Sequence, residues 1–224
     1  MNDNVKCIFN LVAEKYDKER RELIPLFDVY YGTAVQILNL ENTKGKILDL
    51  GAGTGLLTSM IMKKYNDAHY TLIDIADEML TIARKRFEGV NNVTYLVDDY
   101  RKGIVGGKYD AIVSGMSIHH LDFKEKENLY KDIYNSLEDN GVFINVDQVK
   151  GEDEESENII KGYQLNHIEN SILSREAKGR TYNRLELDKM DKYSDQEKML
   201  RQAGFKSVDV YYKYYNYIVF KASK

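Results

Sequence analysis

One cysteine, one proline and no tryptophan stand among 224 residues, and each scarcity removes a class of protein. A lone thiol, Cys7, cannot close an internal disulfide or build a thiolate cluster. A disulfide-stapled fold and a cysteine zinc site are therefore excluded, and the reducing cytoplasm is the expected setting. With Pro25 as the only proline, no Pro-rich linker interrupts the chain. Long hydrophobic runs are lacking as well. The longest near-apolar stretch, 111–118, is broken by Ser114, Gly115 and Ser117 and falls far short of the ~20 residues a membrane helix needs. The N-terminal segment mixes acidic with basic residues and has no apolar run of the export-signal kind. Finally, there is no excess of positive charge. The 32 Lys and Arg face 36 Asp and Glu, a net charge of −4, which gives no global drive to displace counterions from a phosphate backbone. Neither a membrane nor DNA is an expected partner.

What is present is the composition of a folded domain: 43% apolar and 30% charged residues. From residue 46 short apolar runs at 46–50, 70–74, 93–97, 109–114 and 141–146 alternate with segments of helical period, the pattern of an α/β protein with parallel strands. Leu56, Leu57, Met60 and Ile61 form one apolar helix face, and Met79, Leu80, Ala83 and Phe87 form another. A third helix is predicted from Asp122, capped by Glu125 and running to Asn140-Gly141. A further capping box is predicted from Ser194 to Glu197. Two runs at 207–212 and 214–222 lie too close together for a crossover helix, so they should pair as an antiparallel hairpin. The expected organisation is one domain over 1–224: a helical cap at 1–44, a ligand-binding core at 45–149, a charged helical lid at 150–192, and a closing helix and hairpin at 193–224.

The chemistry is concentrated where strands end. The first strand runs into Asp49-Leu50-Gly51-Ala52-Gly53-Thr54-Gly55 and then a helix, a glycine turn that lets a ligand lie against the backbone at a helix start. The second strand ends in Asp74-Ile75, where a carboxylate can accept both hydrogen bonds of a ribose diol. The third is followed by Asp98-Asp99-Tyr100, an acceptor and a ring for a base. The spacing G-x-G-x-G departs from the dinucleotide pattern G-x-G-x-x-G, with Leu56 at the last position, so a nicotinamide dinucleotide is the lesser reading. These motifs resemble the class I S-adenosylmethionine-dependent methyltransferases over about 46–149 and again in the closing hairpin. The resemblance implies a Rossmann-like seven-stranded sheet with helices on both faces and an antiparallel last strand. It implies S-adenosyl-L-methionine as cofactor, with Asp49, Gly51, Ala52, Gly53 and Gly55 beside its methionine part, Asp74 and Ile75 at the ribose, Asp99 and Tyr100 at adenine, and Ser114 nearby.

Methyl transfer to a small molecule is the expected reaction. Ser114-Gly115-Met116-Ser117 is unlike the Asn/Asp-Pro-Pro-aromatic motif of amino-directed DNA methylation. No Pro-Cys pair is present for base C5 chemistry. Asp147, at the end of the fifth strand, and His120 are the candidate catalytic groups. A metal set of His120, Asp147 and His167 has suitable donors, but the reading expects no metal. In the cap, Tyr16 is expected to close over the methionine end. The cap, the ending Ala203-Gly204-Phe205 and the Tyr-rich hairpin more narrowly resemble the carboxy-S-adenosylmethionine synthase branch, whose product serves transfer-RNA wobble-uridine modification. Arg184 falls close to that branch's carboxylate-pairing arginine. Ala52-Gly53-Thr54 departs from the Cys-Ser pair those synthases carry. A non-catalytic cofactor-binding module is a further alternative. Oligomeric state is left open between monomer and dimer, with the aromatic hairpin as a candidate contact surface.

Overall fold

The fold is described from a computed structural model covering residues 15–224; Cys7 and the start of the expected cap lie outside the described residues. Two helices come first, α1 (Tyr16–Leu23) and α2 (Phe27–Ile37). The core follows as β1 (Lys46–Leu50), α3 (Leu56–Met62), β2 (His69–Asp74), α4 (Asp77–Arg86), β3 (Val93–Val97), β4 (Tyr109–Gly115), α5 (Phe123–Ser136) and β5 (Leu137–Gln148). Then come α6 (Glu154–Glu169), α7 (Arg175–Leu185), α8 (Tyr193–Ala203), β6 (Ser207–Tyr214) and β7 (Tyr217–Ser223). Among the described residues no helix is long and apolar enough to cross a membrane.

The seven strands form one sheet in the order β3-β2-β1-β4-β5-β7-β6. Strands β1 to β5 pair in parallel, and β7 runs antiparallel to β5 and to β6. The chain moves outward from β1 to β3, then returns to β4 on the other side of β1. That reversal opens a crevice at the carboxyl ends of β1 and β4, the topological switch point where open parallel sheets bind ligands.

Side-chain alternation along the strands divides the core. Ile47 and Val113 face α2 and α3, whereas Leu48, Leu50 and Ile112 face α5 and α8. Central strands buried on both faces explain why their sequences read as apolar runs rather than as alternating patterns. Helix α5 starts as its residues dictate: Asp122 accepts from the Glu125 N–H at 2.9 Å and Glu125 accepts from the Asp122 N–H at 2.8 Å. Its end differs from the expected Asn140-Gly141. The helix stops at Ser136, because Leu137 is buried and pairs with Tyr109 across a bulge in β4–β5.

The insertion at 150–192 folds as α6 and α7, and its acidic opening is a solvated helix start in which Asp153 caps through Ser156. The expected Ser194–Glu197 capping box does not form. Helix α8 begins two residues earlier, with Lys192 as N-cap, and Ser194 instead donates to Glu152 at 2.5 Å, clipping the two ends of the insertion together. In the hairpin, Tyr217 is buried and Tyr163 stacks on Tyr215 at 3.7 Å, so most of the tyrosines serve packing and only Tyr211 exceeds half exposure.

Helix α8 ends on Gly204 with φ 118, and a Cβ there would lie 2.7 Å from the Tyr134 ring. Both the left-handed backbone and the ring disfavour a side chain. Gly204→Ala should cost about 1–3 kcal/mol of unfolding free energy, read as a lower urea midpoint at unchanged slope. A midpoint equal to that of the parent chain would refute this account of the helix end.

Candidate functional site

Glycine at three positions shapes the loop between β1 and α3. Gly51, Gly53 and Gly55 have φ of 66, 53 and 73, all in the region that disfavours a Cβ. At Gly51 a Cβ would also fall 1.9 Å from Ser117 Oγ, and at Gly55 it would strike the Phe87 ring at 2.6 Å. The loop is tied down from below: Gly51 and Ala52 N–H donate to Ile73 C=O at 2.9 and 3.0 Å. It is held from the side by Asp74, which accepts from the N–H of Gly53 and of Ala76, each at 2.8 Å. Thr54 Oγ1 donates to Asp17 of α1 at 2.6 Å, and Arg86 of α4 pairs with the same carboxylate. The cap is thereby latched to the loop.

Above this loop lies a cavity lined by Tyr16, Gly51, Gly53, Asp74, Ile75 and Tyr100, together with Met79, Met116, Ser117 and His120. Six of the expected cofactor residues meet here. Burial pushes the Asp74 carboxyl up to about 6 despite its backbone donors. Asp49 sits behind the loop. It accepts from Thr58 Oγ1 at 2.7 Å, its other oxygen is buried without a hydrogen-bond partner, and burial pushes its pKa up to about 7.

Other expected residues are placed elsewhere. Ser114 is sealed inside the sheet, donating to Leu50 C=O at 2.8 Å. Asp99 turns toward Arg101, whose Nε lies 2.9 Å away. Ala52 and Gly55 shape the loop rather than line the cavity. Asp147 was expected beside the transferred group but lines neither cavity. Its oxygens engage the His119 Nδ1 and N–H, and the Gln148 N–H at 2.9 Å. It positions His119. His167 meets the Glu22 C=O at 3.2 Å and stacks on Tyr163, so the set His120, Asp147 and His167 is not assembled.

A second cavity adjoins the first and is lined by Arg20, His119, His120, Gln148, Arg184 and Asp188 among others. His120 is the one residue common to both linings. Arg184 thus belongs to this second chamber rather than to the first. Arg20 and Arg184 are 8% and 5% exposed, and Arg20 Nε and Arg184 Nη1 are buried without hydrogen-bond partners. Burial, with Arg20 next, pushes Arg184 down to about 10. Burial opposes charge at His119, but Asp147 and Asp188 outweigh it and raise its pKa. At His120 burial, then His119 and the nearby arginines, hold the ring well below the usual range, in its neutral form.

Sequence reasoning missed Met79, Met116 and Ser117 in the first cavity and Gln148, Gln164 and Asp188 in the second. Met116 could have been suspected only from structure: it is a buried non-glycine residue at φ 56, the kind of backbone strain found at binding sites. Ser117 had an indirect signal, since a glycine at 51 needs a close neighbour to explain it. Asp188 carried no local signal.

Comparisons with known proteins bear on the family and the fold. The family described as "Methyltransferase domain" matches residues 47–141. A carboxy-S-adenosyl-L-methionine synthase of Nautilia profundicola is 25% identical over 95% of this chain and 92% of its own length. A malonyl-[acyl-carrier protein] O-methyltransferase of Bacillus anthracis is 27% identical over 61% of this chain, which spans about half, 49%, of that relative. Among solved structures, the DhpI–SAH complex superposes with a TM-score of 0.66 at 17% identity, covering 97% of this chain and 93% of that one. Residues 47–141 are therefore similar to the methyltransferase-domain family, and the chain shares the fold of solved methyltransferases.

Proposed function

We propose that this protein transfers a methyl group from S-adenosylmethionine to a small molecule bearing an anionic group, and the adjoining pair of cavities carries that reading. The first chamber fits the cofactor: it lies over a glycine loop that leaves no room for side chains, and Asp74 and Tyr100 line it. Asp74 uses one acceptor position on each oxygen for backbone donors, and a carboxylate has about four such positions, so it can still accept a ribose diol. Tyr16 and Met116 border the same space. When bound, the cofactor would supply a methyl on a sulfonium sulfur, open to in-line attack by an aligned acceptor with the neutral thioether, S-adenosylhomocysteine, as leaving group.

The second chamber is the proposed acceptor site. Two buried guanidiniums, each with an N–H that makes no hydrogen bond although Arg184 Nη1 also faces Glu19, suit a carboxylate, and His120 is the side chain placed where the two chambers meet. Helices α6 and α7 act as the lid, and α1 as the cap. Arg180 and Arg184 of α7 both face Glu19 of α1, the latter pair at 3.7 Å. A single cysteine and a net charge of −4 support a cytoplasmic setting and a small-molecule rather than a DNA acceptor.

A second reading is supported by Arg184 in that chamber and by similarity to the Nautilia profundicola synthase along nearly the whole chain. In it the enzyme makes a carboxylated cofactor. Mass spectrometry of nucleotides that copurify with the protein separates the two, since a carboxylated adduct appears only under the synthase reading.

Two hydrogen bonds to a charged acceptor contribute roughly 1.5–3 kcal/mol each, so Asp74→Ala should weaken S-adenosylhomocysteine binding at least about a hundredfold by calorimetry. Undiminished affinity would sink the cofactor assignment. The diol requires ionised Asp74, whose pKa is about 6. Affinity should therefore fall about tenfold per pH unit below 6, and Asp74→Asn should lose that step. Stability takes the opposite sign: a carboxyl with a raised folded pKa weighs against folding at neutral pH, and that burden is relieved as pH falls through 6. For the acceptor, a thermal-shift screen of small carboxylic acids with S-adenosylhomocysteine bound should give stabilising compounds for the parent chain and none for Arg184→Met. Equal responses from both proteins would refute the anion assignment.

A further inference from the structure

Three donor atoms meet in the wall of the second chamber. His119 Nε2 lies 3.5 Å from Asp188 Oδ1, and His120 Nδ1 lies 3.3 Å from the same oxygen. One donor atom from each of the three residues lies within 4.8 Å of the others. We propose that His119, His120 and Asp188 form a site for a divalent first-row transition ion, with Asp147 as the outer carboxylate that orients His119.

Distance is the first argument. Charge-assisted N–H···O bonds run at about 2.7–2.9 Å, and both separations here exceed that. They match the spacing of about 3.3–3.5 Å between donors arranged tetrahedrally around an ion with bonds of about 2.0–2.1 Å.

The surroundings are the second. Metal-ligating imidazoles characteristically use their other nitrogen on a carboxylate, and the His119 Nδ1 is held in this way by Asp147, which also accepts from the His119 N–H at 3.1 Å. Asp188 and both histidines line the second chamber, so three protein ligands would leave further coordination positions open toward it, as catalytic sites do. Two imidazoles and one carboxylate suit zinc, iron, cobalt or manganese rather than calcium or magnesium. Arg20 and Arg184 line the same chamber and oppose a cation, while Asp188 is itself one of the donors and Asp147 contacts His119 directly. The competing account is a proton: an imidazolium at His119 between the two carboxylates. The site stands on donor geometry and does not rest on the methyl-transfer reading.

The test uses zinc chloride alone, titrated calorimetrically into protein freed of metal by chelation, with stoichiometry by elemental mass spectrometry. One ion per chain is expected, and Asp147→Asn should weaken binding about 10–100-fold, with Asp188→Asn at least as damaging. Circular dichroism and S-adenosylhomocysteine binding report whether each variant is folded. Should the variants misfold, nitrogen NMR of the parent protein decides. There are four histidines, His69, His119, His120 and His167, and zinc should shift the ring nitrogens of His119 and His120 only. Absence of binding, binding indifferent to both variants, or shifts confined to His69 and His167 would overturn the proposal and leave the proton bridge in its place.

Discussion

The structure around the site depends on one buried contact, His119 between Asp147 and Asp188. Asp147 ends β5, His119 lies in the turn after β4, and Asp188 follows α7, so a single imidazole joins the sheet to the insertion. All three side chains are at most about 5% exposed. Charges this deep are expensive to desolvate and tolerable only when mutually compensated, so each fixes the others' positions. The Lys189 N–H donates to the His119 C=O at 2.8 Å, and fully buried Lys126 of α5 reaches Asp191 at 2.5 Å. The descending end of the insertion is thereby pinned against the core over residues 188–191, and the wall of the second chamber is set by electrostatics more than by apolar packing.

The first chamber is held by a different kind of constraint. Its loop follows from backbone conformation: positive φ at three glycines, N–H groups spent on Ile73 and Asp74, and neighbours that exclude side chains. Asp17 then links this rigid loop to the cap through Thr54 and Arg86. The loop is preorganised by its own strand and helix, while the cap above it is joined to the loop through the Asp17 carboxylate and to the insertion and hairpin through Glu19, Glu22 and Leu23. Any motion that admits a ligand is more readily accommodated at those attachments than in the loop.

This contrast explains what could be read from the chain. The glycine spacing, the apolar runs and Asp74 at a strand end are local signals, and they lead to the sheet, the crevice and the residues under the first cavity. The hairpin at 207–223 was legible for the same reason. Asp147 was correctly placed at a strand end but not in orientation, because its neighbour His119 comes from a turn 28 residues earlier. Ser114 was misjudged because a serine inside a strand can satisfy its hydroxyl on the adjacent strand. Arg184 and Asp188 reach the site through an insertion whose helices have no fixed geometry relative to the sheet until they pack. No periodicity encodes that.

The charges of the two chambers also bear on where an acceptor's own charge belongs. In a displacement at a sulfonium the nucleophile loses negative charge as the new bond forms. Guanidiniums touching the reacting atom would therefore stabilise the reactants more than the transition state and slow the reaction. Arg20 and Arg184 line the second chamber and not the first, whereas neutral His120 stands where the chambers meet. Under the proposed methyl transfer this is the arrangement the chemistry favours: cations would hold a remote anionic group, away from the atom that receives methyl. The energy of anion binding is then available for alignment, and alignment is the main service such a displacement requires of its protein.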